Sequence, residues 1–457
     1  MSYLIKGGII AEQNTYTPVD ILIEGNVIKK IGKIDKADHI LDASGMILFP
    51  GFIDAHTHLD MDTGMAHTAD DFESGTKAAL IQGTTSIIDF ATQNKGETLI
   101  SALENWRHKT NKKCSCDYGF HMAITEWNNE IKSELLTMRE SGITSFKLYM
   151  AYDTLRLDDG AIYEILKSAK NLGGLVGVHC ENGDLIKAYT KMLLEQEQRT
   201  PLAHPLSRPD MIEAEAISRF LDIAYMVDVP VHIVHLSTQK GLECIRRARK
   251  RGQRVYVETC PQYLLLDEKL YHLKQFESAK YVLSPPLRSK QDQEALWEGI
   301  QEGEIQTIST DHCAFNFESQ KKIGIDDFTQ IPNGIPGIEH RPQLIYSYGV
   351  TKGRLSLQEM AHLLSTHVAQ LFGMYPQKGT LAVGSDADIV VWNPGYRGVI
   401  SAKTQLQHVD YTPYEGFKVI GRAEHVFLRG MHVVEEGRIV EEKKGRYIFR
   451  KTPLNTK

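Results

Sequence analysis

This sequence of 457 residues contains few cysteines and few tryptophans, and its net charge is small. Six cysteines spread over such a length do not form the dense set that small secreted domains use for disulfide bonds, so we expect them to be reduced. The formal net charge of −6 comes from 52 Lys and Arg against 58 Asp and Glu. A balance this even argues against nucleic acid or an anionic membrane as the main partner.

Long apolar runs are missing too. No run reaches the ~18 residues of a membrane-spanning helix, and the segment Met1–Gly8 lacks the basic and then apolar pattern of a secretory signal. These absences predict a cytoplasmic protein with no membrane partner. The remaining composition, 42% hydrophobic and 24% charged, is typical of a globular protein with a sizeable core.

Both ends of the chain contain short β-branched segments separated by turns, the pattern of small antiparallel sheets. The candidate strands are Tyr3–Ile10, Asp20–Glu24, Val27–Ile31, Asp388–Trp392, His425–Leu428 and His432–Val434. This arrangement predicts one small β-sandwich domain built from both termini, residues 1–50 plus 376–457.

Residues 51–375 instead alternate apolar, β-branched runs with helical stretches. The eight candidate strands are Phe52–Ala55, Thr85–Phe90, Tyr118–Ile124, Ser145–Tyr149, Leu175–Val178, Val231–Val234, Val255–Glu258 and Ile305–Ser309. The helical stretches include Asp71–Gln82, Asp159–Leu172, Pro209–Met226 and Lys240–Arg251. Apolar strands separated by helices indicate a parallel sheet covered on both faces, and eight such units close most simply into an α/β fold of the (β/α)8 TIM-like barrel type.

Polar residues that end the barrel strands are the candidates for chemistry, because active sites in such barrels form at the C-terminal ends of the strands. Six residues able to bind metal lie there: His56, His58, Lys147, His179, His235 and Asp311. His56 and His58 are two residues apart on one strand, so both rings face the same side. A His-x-His pair alone is more often structural, but the other strand-end residues favour a metal site.

Lys147 differs from the other five residues because its ammonium group would be repelled by bound cations and desolvated by burial. Two interpretations remain open on the residues alone. Carbon dioxide could convert the amine into an anionic carbamate whose two oxygens bridge two metals. Alternatively, the lysine could extend from its strand end into solvent.

Eight motifs distributed over essentially the whole chain resemble those of one family. They are Gly51–Met61, Phe146–Tyr152, Val178–Asn182, His204–Pro209, Cys260–Tyr263, Ser284–Arg288, Ser309–Cys313 and Gly384–Val390. Together they are similar to the signatures of the hydantoinase and dihydropyrimidinase branch of the amidohydrolase superfamily. That resemblance implies a homotetramer or homodimer and two divalent metal ions. Zinc is expected, although the same donors suit manganese, iron or cobalt.

The resemblance also implies a role for each metal-competent residue. His56 and His58 would bind one metal, and His179 and His235 the other. Lys147, carboxylated to N6-carboxylysine, would bridge the two metals. Asp311 would bind the first metal as well.

The reaction implied is hydrolysis of the ring amide of hydantoins or 5,6-dihydropyrimidines to N-carbamoyl amino acids. A hydroxide held between the metals would attack the ring carbonyl, and Asp311 would carry its proton to the departing ring nitrogen. Tyr152 would donate a hydrogen bond to the carbonyl oxygen as it becomes negative. Backbone groups of Ser284 and Asn333 would hold the ring amide.

Three residues are candidates for substrate specificity. Thr63 and Arg156 stand where hydantoinases that favour bulky apolar substituents carry more apolar residues, whereas Tyr149 keeps an aromatic ring. We therefore hypothesise a preference for a small, polar or anionic ring substituent, with Arg156 as a candidate contact. A solvated loop position for Arg156 is the alternative.

Other activities on the same framework stay open. Dihydroorotases commonly carry Arg, and allantoinases Asn, two residues after the second histidine, where this chain has Asp60. Both are therefore less favoured, but allantoin or another purine-derived cyclic ureide remains an alternative substrate. A non-catalytic scaffold like those of the collapsin response mediator family is opposed by the retention of all six ligand positions and of Tyr152.

Overall fold

The computed structural model of the chain describes residues 2–13 and 17–452. The strands in this part of the chain are β1 (Ser2–Ile10), β2 (Val19–Glu24), β3 (Val27–Ile31), β4 (His39–Asp42), β5 (Ile47–Pro50), β6 (Phe52–Thr57), β7 (Thr84–Thr92), β8 (Asp117–Ala123), β9 (Ser145–Tyr149), β10 (Leu175–His179), β11 (Val231–Ile233), β12 (Val255–Thr259), β13 (Thr307–Ile308), β14 (Ile389–Val399), β15 (Lys418–Leu428), β16 (Met431–Glu435) and β17 (Arg438–Ile439).

The α-helices of the same residues are α1 (Phe72–Ile81), α2 (Leu99–Thr110), α3 (Asn129–Glu140), α4 (Asp159–Leu172), α5 (Gly183–Glu195), α6 (Ala203–Leu206), α7 (Asp210–Val227), α8 (Gln239–Lys250), α9 (Pro261–Leu265), α10 (Lys290–Gln301), α11 (Arg341–Ile345), α12 (Leu357–Ala361) and α13 (His367–Leu371). None of the helices described is long and apolar enough to cross a membrane.

Strands β6 to β13 form one parallel sheet in sequential order. Its two edges meet where Thr57 pairs with His312 and where the amide of His58 donates to the carbonyl of His312 at 2.8 Å. The sheet therefore closes into a barrel, and all eight predicted strands are confirmed with small shifts at their ends. The predicted helices correspond to α1, α4, α7 and α8.

Helix α4 shows why the sequence pattern is informative. The side chain of Asp158 accepts a hydrogen bond from the amide of Ala161 and so caps the first turn, and Gly173 ends the helix with φ +64°. Its buried residues are Ile162, Ile165, Leu166 and Ala169. Their spacing of three and four residues forms one apolar stripe that packs against the barrel.

The remaining strands form a mixed sheet ordered β17-β16-β15-β14-β5-β1-β2-β3, with β4 beside β1. Strand β1 pairs with β2 from Ser2 to Gly8, with a register shift between Ile5 and Gly8, and its last two residues, Ile9 and Ile10, pair with β5. Strands that are far apart in this sheet contribute to one hydrophobic cluster, for example Ile23 from β2 and Phe427 from β15. The sheet thus folds over a core and confirms the predicted sandwich.

The predicted domain boundaries at residues 50 and 376 stay a prediction. Residues 1, 14–16 and 453–457 of the predicted small domain lie outside the described residues. Strands β4, β5 and β17 were not predicted. The four residues of β5 are all buried, so it lacks the alternation that marks a strand with one solvated face.

A buried ion cluster joins the mixed sheet to the barrel. The ammonium of Lys378 lies 2.8 Å from Asp117 at the start of β8, 3.1 Å from Asp386 and 2.6 Å from Asp388. Arg429 also pairs with Asp117. Cationic side chains therefore already occupy the space between these three carboxylates, and the cluster serves the packing of the two sheets.

The C-terminal segment covers the end of the barrel at which the strands begin. The amide of Ile448 donates to the carbonyl of Tyr118 at 2.7 Å, and the buried guanidinium of Arg450 donates to Ser145 Oγ at 2.8 Å. Tyr118 and Ser145 both lie near the N-terminal ends of their strands. A substrate would therefore enter the barrel at the opposite end, where the strands finish.

Candidate metal centre

The six metal-competent side chains predicted from the sequence line one cavity of about 850 Å³ at the C-terminal end of the barrel. They are His56, His58, Lys147, His179, His235 and Asp311. Each comes from the end of a barrel strand or from the residues just after it. The shared strand direction therefore brings together residues that are up to 255 positions apart in the sequence.

His56, His58 and Asp311 form the first group of ligand atoms. The Nε2 atoms of the two histidines lie 3.1 Å and 3.2 Å from the same oxygen, Asp311 Oδ1. All three residues can place one ligand atom within 4.8 Å of the others. Two imidazoles and one carboxylate at these separations suit a divalent transition metal.

His179 and His235 form the second group. Their facing nitrogens, His179 Nδ1 and His235 Nε2, are 3.0 Å apart. Two nitrogens that each lie about 2.0–2.1 Å from a tetrahedral zinc ion would be separated by roughly 3.4 Å. The pair therefore needs only a small adjustment to hold one ion.

Lys147 lies beside both groups with its amine buried. In the part of the chain that the structure describes, Lys147 Nζ makes no hydrogen bond and lies 5.2 Å and 5.4 Å from the ring centroids of Phe90 and Tyr149. Burial lowers the pKa of Lys147 to about 8, although the carboxylates of Asp311 and Glu258 act in the opposite sense. A buried amine without a partner is costly and calls for a chemical explanation.

Carboxylates behind two of the histidines fix the orientation of their rings. Glu258 Oε1 is 2.6 Å from His56 Nδ1, and Glu181 Oε2 is 2.8 Å from His179 Nε2. Each contact engages the outer ring nitrogen and leaves the inner nitrogen as the lone pair available to a metal. Burial alone would lower the pKa of His56, but Glu258 and Asp311 outweigh it and raise that pKa to about 9.

Glu181 is itself held by Arg208, whose Nη1 atom donates to Glu181 Oε2 at 2.7 Å. Burial opposes ionisation of Glu181, yet Arg208 and His179 together lower its pKa to about 2. Glu258 and Arg208 were not identified from the sequence. Glu258 ends a predicted strand, so the rule that selected the histidines could have selected it, whereas Arg208 lies outside the strands and gave no such signal.

Three residues of this site adopt positive φ angles: Tyr152 at 68°, His235 at 38° and Asp311 at 53°. A positive φ is uncommon for residues other than glycine and tends to persist where the surrounding structure imposes it, often at functional sites. The backbone is thus held in an unfavourable conformation at two metal-competent residues and at the predicted substrate donor.

Comparison with known proteins agrees with this geometry. The model of the amidohydrolase family matches residues 47–433. The chain is 46% identical to the D-hydantoinase of Geobacillus stearothermophilus, with 98% of this chain and 97% of that protein covered.

The chain belongs to the amidohydrolase family.

Two further relatives extend the likeness. The D-phenylhydantoinase of Escherichia coli O1:K1 is 40% identical, with 99% of this chain and 98% of that protein covered. The crystal structure of dihydropyrimidinase from Brevibacillus agri superposes with a TM-score of 0.97 at 44% identity and covers 99% of both chains. The predicted resemblance to the hydantoinase and dihydropyrimidinase branch is confirmed.

Tyr152, Ser284 and Asn333 line the same cavity of this amidohydrolase. The ring of Tyr152 lies 5.3 Å from that of His179, and burial raises the pKa of Tyr152 to about 12. The phenol therefore keeps its proton and can donate it to a substrate oxygen. Within the described residues, the backbone amides and carbonyls of Ser284 and Asn333 form no hydrogen bond with another protein group.

The candidate specificity residues divide into two groups. Thr63 and Tyr149 line the cavity, but Arg156 does not. The guanidinium of Arg156 is paired with Asp184 at 2.6 Å and with Asp153 at 3.3 Å. Its charge is already compensated outside the cavity, so the structure gives no support to Arg156 as a contact for a ring substituent.

Replacement of Glu258 by Gln tests how strongly the carboxylate supports the metal site. Glu258→Gln keeps the side-chain shape but removes the negative charge beside His56 Nδ1, so we expect the affinity for a divalent metal to fall about 10- to 100-fold. Metal retained per chain during competition with a chelator measures this affinity. Glu243→Gln, at an exposed position of α8, is the matched control. Equal retention by both variants would contradict the role assigned to Glu258.

Proposed function

We propose that this amidohydrolase opens the rings of hydantoins or 5,6-dihydropyrimidines and releases N-carbamoyl amino acids. The observation that carries the proposal is the cavity in which two sets of metal-competent atoms flank the unpartnered amine of Lys147. D-hydantoinase, D-phenylhydantoinase and dihydropyrimidinase relatives that align over nearly the whole chain support the choice of ring.

Two divalent metals fit the donors present. His56, His58 and Asp311 would hold one ion, and His179 and His235 the other. Carbon dioxide added to the amine of Lys147 would give a carbamate with one oxygen for each ion. This N6-carboxylysine would also remove the problem of a buried cation beside two metals. Zinc is the metal we propose, and manganese, iron or cobalt would suit the same donors.

The residues divide the chemistry between them. When bound, the two metals supply a hydroxide near neutral pH and polarise the ring carbonyl. Asp311 accepts the proton of the attacking hydroxide and passes it to the ring nitrogen as the carbon–nitrogen bond breaks, because an amide anion is too poor a leaving group to depart unprotonated. Tyr152 donates to the carbonyl oxygen while that oxygen carries negative charge.

The unbonded backbone groups of Ser284 and Asn333 support a role in holding the ring amide. A cyclic amide presents an N–H donor and a carbonyl acceptor, which need an acceptor and a donor from the protein. Backbone groups that form no hydrogen bond within the protein can supply both at no cost in broken contacts. The ring would thereby be oriented with its carbonyl toward Tyr152.

Related activities are less well supported. Asp60, at the position where dihydroorotases carry Arg, does not line the cavity and lies 3.2 Å from His67. The side chain at position 60 is therefore not a cation that could bind a ring carboxylate. Allantoin or another purine-derived ureide remains the alternative substrate, and the retained ligand positions oppose a non-catalytic scaffold.

We also propose a homotetramer or homodimer that acts in the cytoplasm. Leu185, Tyr189 and Met192 lie three or four residues apart on α5 and are each about two-fifths exposed, an apolar stripe suited to a second copy of the chain. Sedimentation of the purified protein at the monomer mass would rule out both oligomers.

The cytoplasmic location is supported by the cysteines. All six are free, in agreement with a reducing compartment.

A ring-opening assay tests the proposed function. Protein loaded with zinc or manganese is expected to convert hydantoin or dihydrouracil into the N-carbamoyl acid, detected by chromatography. Protein stripped with a chelator is the control and should regain activity only on reloading, because the attacking hydroxide depends on the metals. Absence of ring opening after loading with either metal would overturn the proposal.

The same assay tests the preference for small, polar or anionic substituents. Thr63, Lys95 and Lys109 line the cavity, and the two lysines have no carboxylate partner among the described ion pairs. We expect Thr63→Leu to raise turnover of phenylhydantoin relative to dihydrouracil about tenfold, since the added carbons favour an apolar substituent. Arg156→Ala, outside the cavity, should leave the ranking unchanged. Wild-type protein that prefers phenylhydantoin would refute the idea.

A further inference from the structure

Lys321 is a fully buried lysine that neither the sequence motifs nor the proposed chemistry uses. Its ammonium lies 2.7 Å from each of three carbonyl oxygens, those of Val282, Pro332 and Gly334. An ammonium has three N–H donors, so the three carbonyls use all of them. None of the described ion pairs gives Lys321 a carboxylate partner, and a buried cation without one is expensive to keep.

The three carbonyls flank the residues proposed to hold the substrate ring. Val282 precedes Ser284 by two positions, and Pro332 and Gly334 stand on either side of Asn333. We call residues 282–285 the Ser284 segment and residues 332–334 the Asn333 segment. Lys321 therefore bonds to both segments at once, immediately behind the part of each that faces the cavity.

A direct contact also joins the two segments. The amide of Gly334 donates to the carbonyl of Val282 at 3.0 Å, so this carbonyl accepts from both Gly334 and Lys321. Gly334 has φ +142°, and a Cβ atom there would lie 2.3 Å from the carbonyl oxygen of Cys313. Only glycine fits this close approach, so the Asn333 segment lies directly against Cys313, two residues after Asp311.

Two other buried side chains restrain the Ser284 segment. His204 Nε2 donates to the carbonyl of Leu283 at 2.8 Å, and the hydroxyl of Tyr263 donates to the carbonyl of Pro285 at 2.7 Å. Burial lowers the pKa of His204 to about 3, so its ring is neutral and holds one proton to donate. The carbonyls around Ser284 are thus all engaged, while the backbone groups of Ser284 itself are left for a ligand.

We propose that Lys321 is a positioning residue that sets the spacing between the Ser284 and Asn333 segments and so aligns the ring amide with the metal centre. The inference rests on the proposed function, because it assumes that these segments bind the ring. Lys321 does not touch the substrate. Among the side-chain hydrogen bonds of the described residues, only those of Lys321 join both segments. Their loss would leave the bond from Gly334 to Val282 as the remaining hydrogen bond between the segments, so we expect their spacing to vary more.

Replacement of Lys321 by Met removes all three donors while keeping the length of the side chain. We expect kcat/KM for ring opening, measured per metal-loaded chain, to fall roughly 10- to 100-fold, mainly through KM, because a small displacement of the ring-binding groups misaligns the amide. Metal content should stay at the wild-type value, since the metal-competent residues lie on other segments.

Hydrogen exchange of backbone amides gives a readout that does not depend on catalysis. Peptides covering residues 282–285 and 332–334 should exchange faster in Lys321→Met than in the wild type. Lys378→Met is the matched control, because it makes the same change at a buried lysine of the Asp117 cluster, away from the cavity. We expect it to lower stability but to leave KM and the exchange of both segments unchanged.

The outcomes are separable. If wild-type protein opens no ring, the proposed function fails, and faster exchange in Lys321→Met would still support the spacing role. Unchanged KM and unchanged exchange in Lys321→Met would overturn the inference. If Lys321→Met does not fold, Lys321→Gln, which keeps two N–H donors, carries the same test and should show an intermediate effect. Wild-type values in a folded Lys321→Gln would then overturn it.

Discussion

An imidazole binds a metal only when the lone pair of one nitrogen points at the ion, and the mouth of this barrel is organised to meet that requirement. Glu258 behind His56 and Glu181 behind His179 engage the outer nitrogens of those rings. Arg208 in turn fixes Glu181. The directions of the inner nitrogens, and hence every proposed step of the chemistry, depend on these buried charge-assisted hydrogen bonds.

Such a centre is costly, and the rest of the fold compensates for it. Charged groups are desolvated at the mouth, and His235 and Asp311 hold strained backbone angles. The closed barrel supplies the rigidity. His235 follows β11, which pairs with both β10 and β12, and Asp311 lies between β13 and the bridge from His312 to Thr57. The Ser284 and Asn333 segments have a similar support in Lys321, His204 and Tyr263. Two buried layers of side chains thus support the cavity, one behind the metal-competent residues and one behind the Ser284 and Asn333 segments.

The sequence predicted the barrel and the convergence of the six metal-competent residues at one end of it, because both follow from local patterns. Apolar β-branched runs identify the strands, and strand direction places His56, His179 and Asp311 at one end. Glu258 was overlooked although it ends a predicted strand. Arg208 escaped detection because it lies outside the strands and its importance arises from its contact with Glu181. The sequence left two positions open for Arg156, as a substrate contact or as a loop residue outside the cavity. The direction of a loop side chain depends on its neighbours in space, here Asp184.

In the proposed mechanism, Lys147 is the residue that distinguishes a bridged pair of metals from a single-metal site. Elemental analysis of wild-type and Lys147→Ala proteins, both loaded with zinc in the presence of bicarbonate, tests this claim most directly. Two metals per wild-type chain are expected, falling to at most one in Lys147→Ala together with loss of ring opening. A Lys147→Ala protein that retained two metals and full activity would contradict the account.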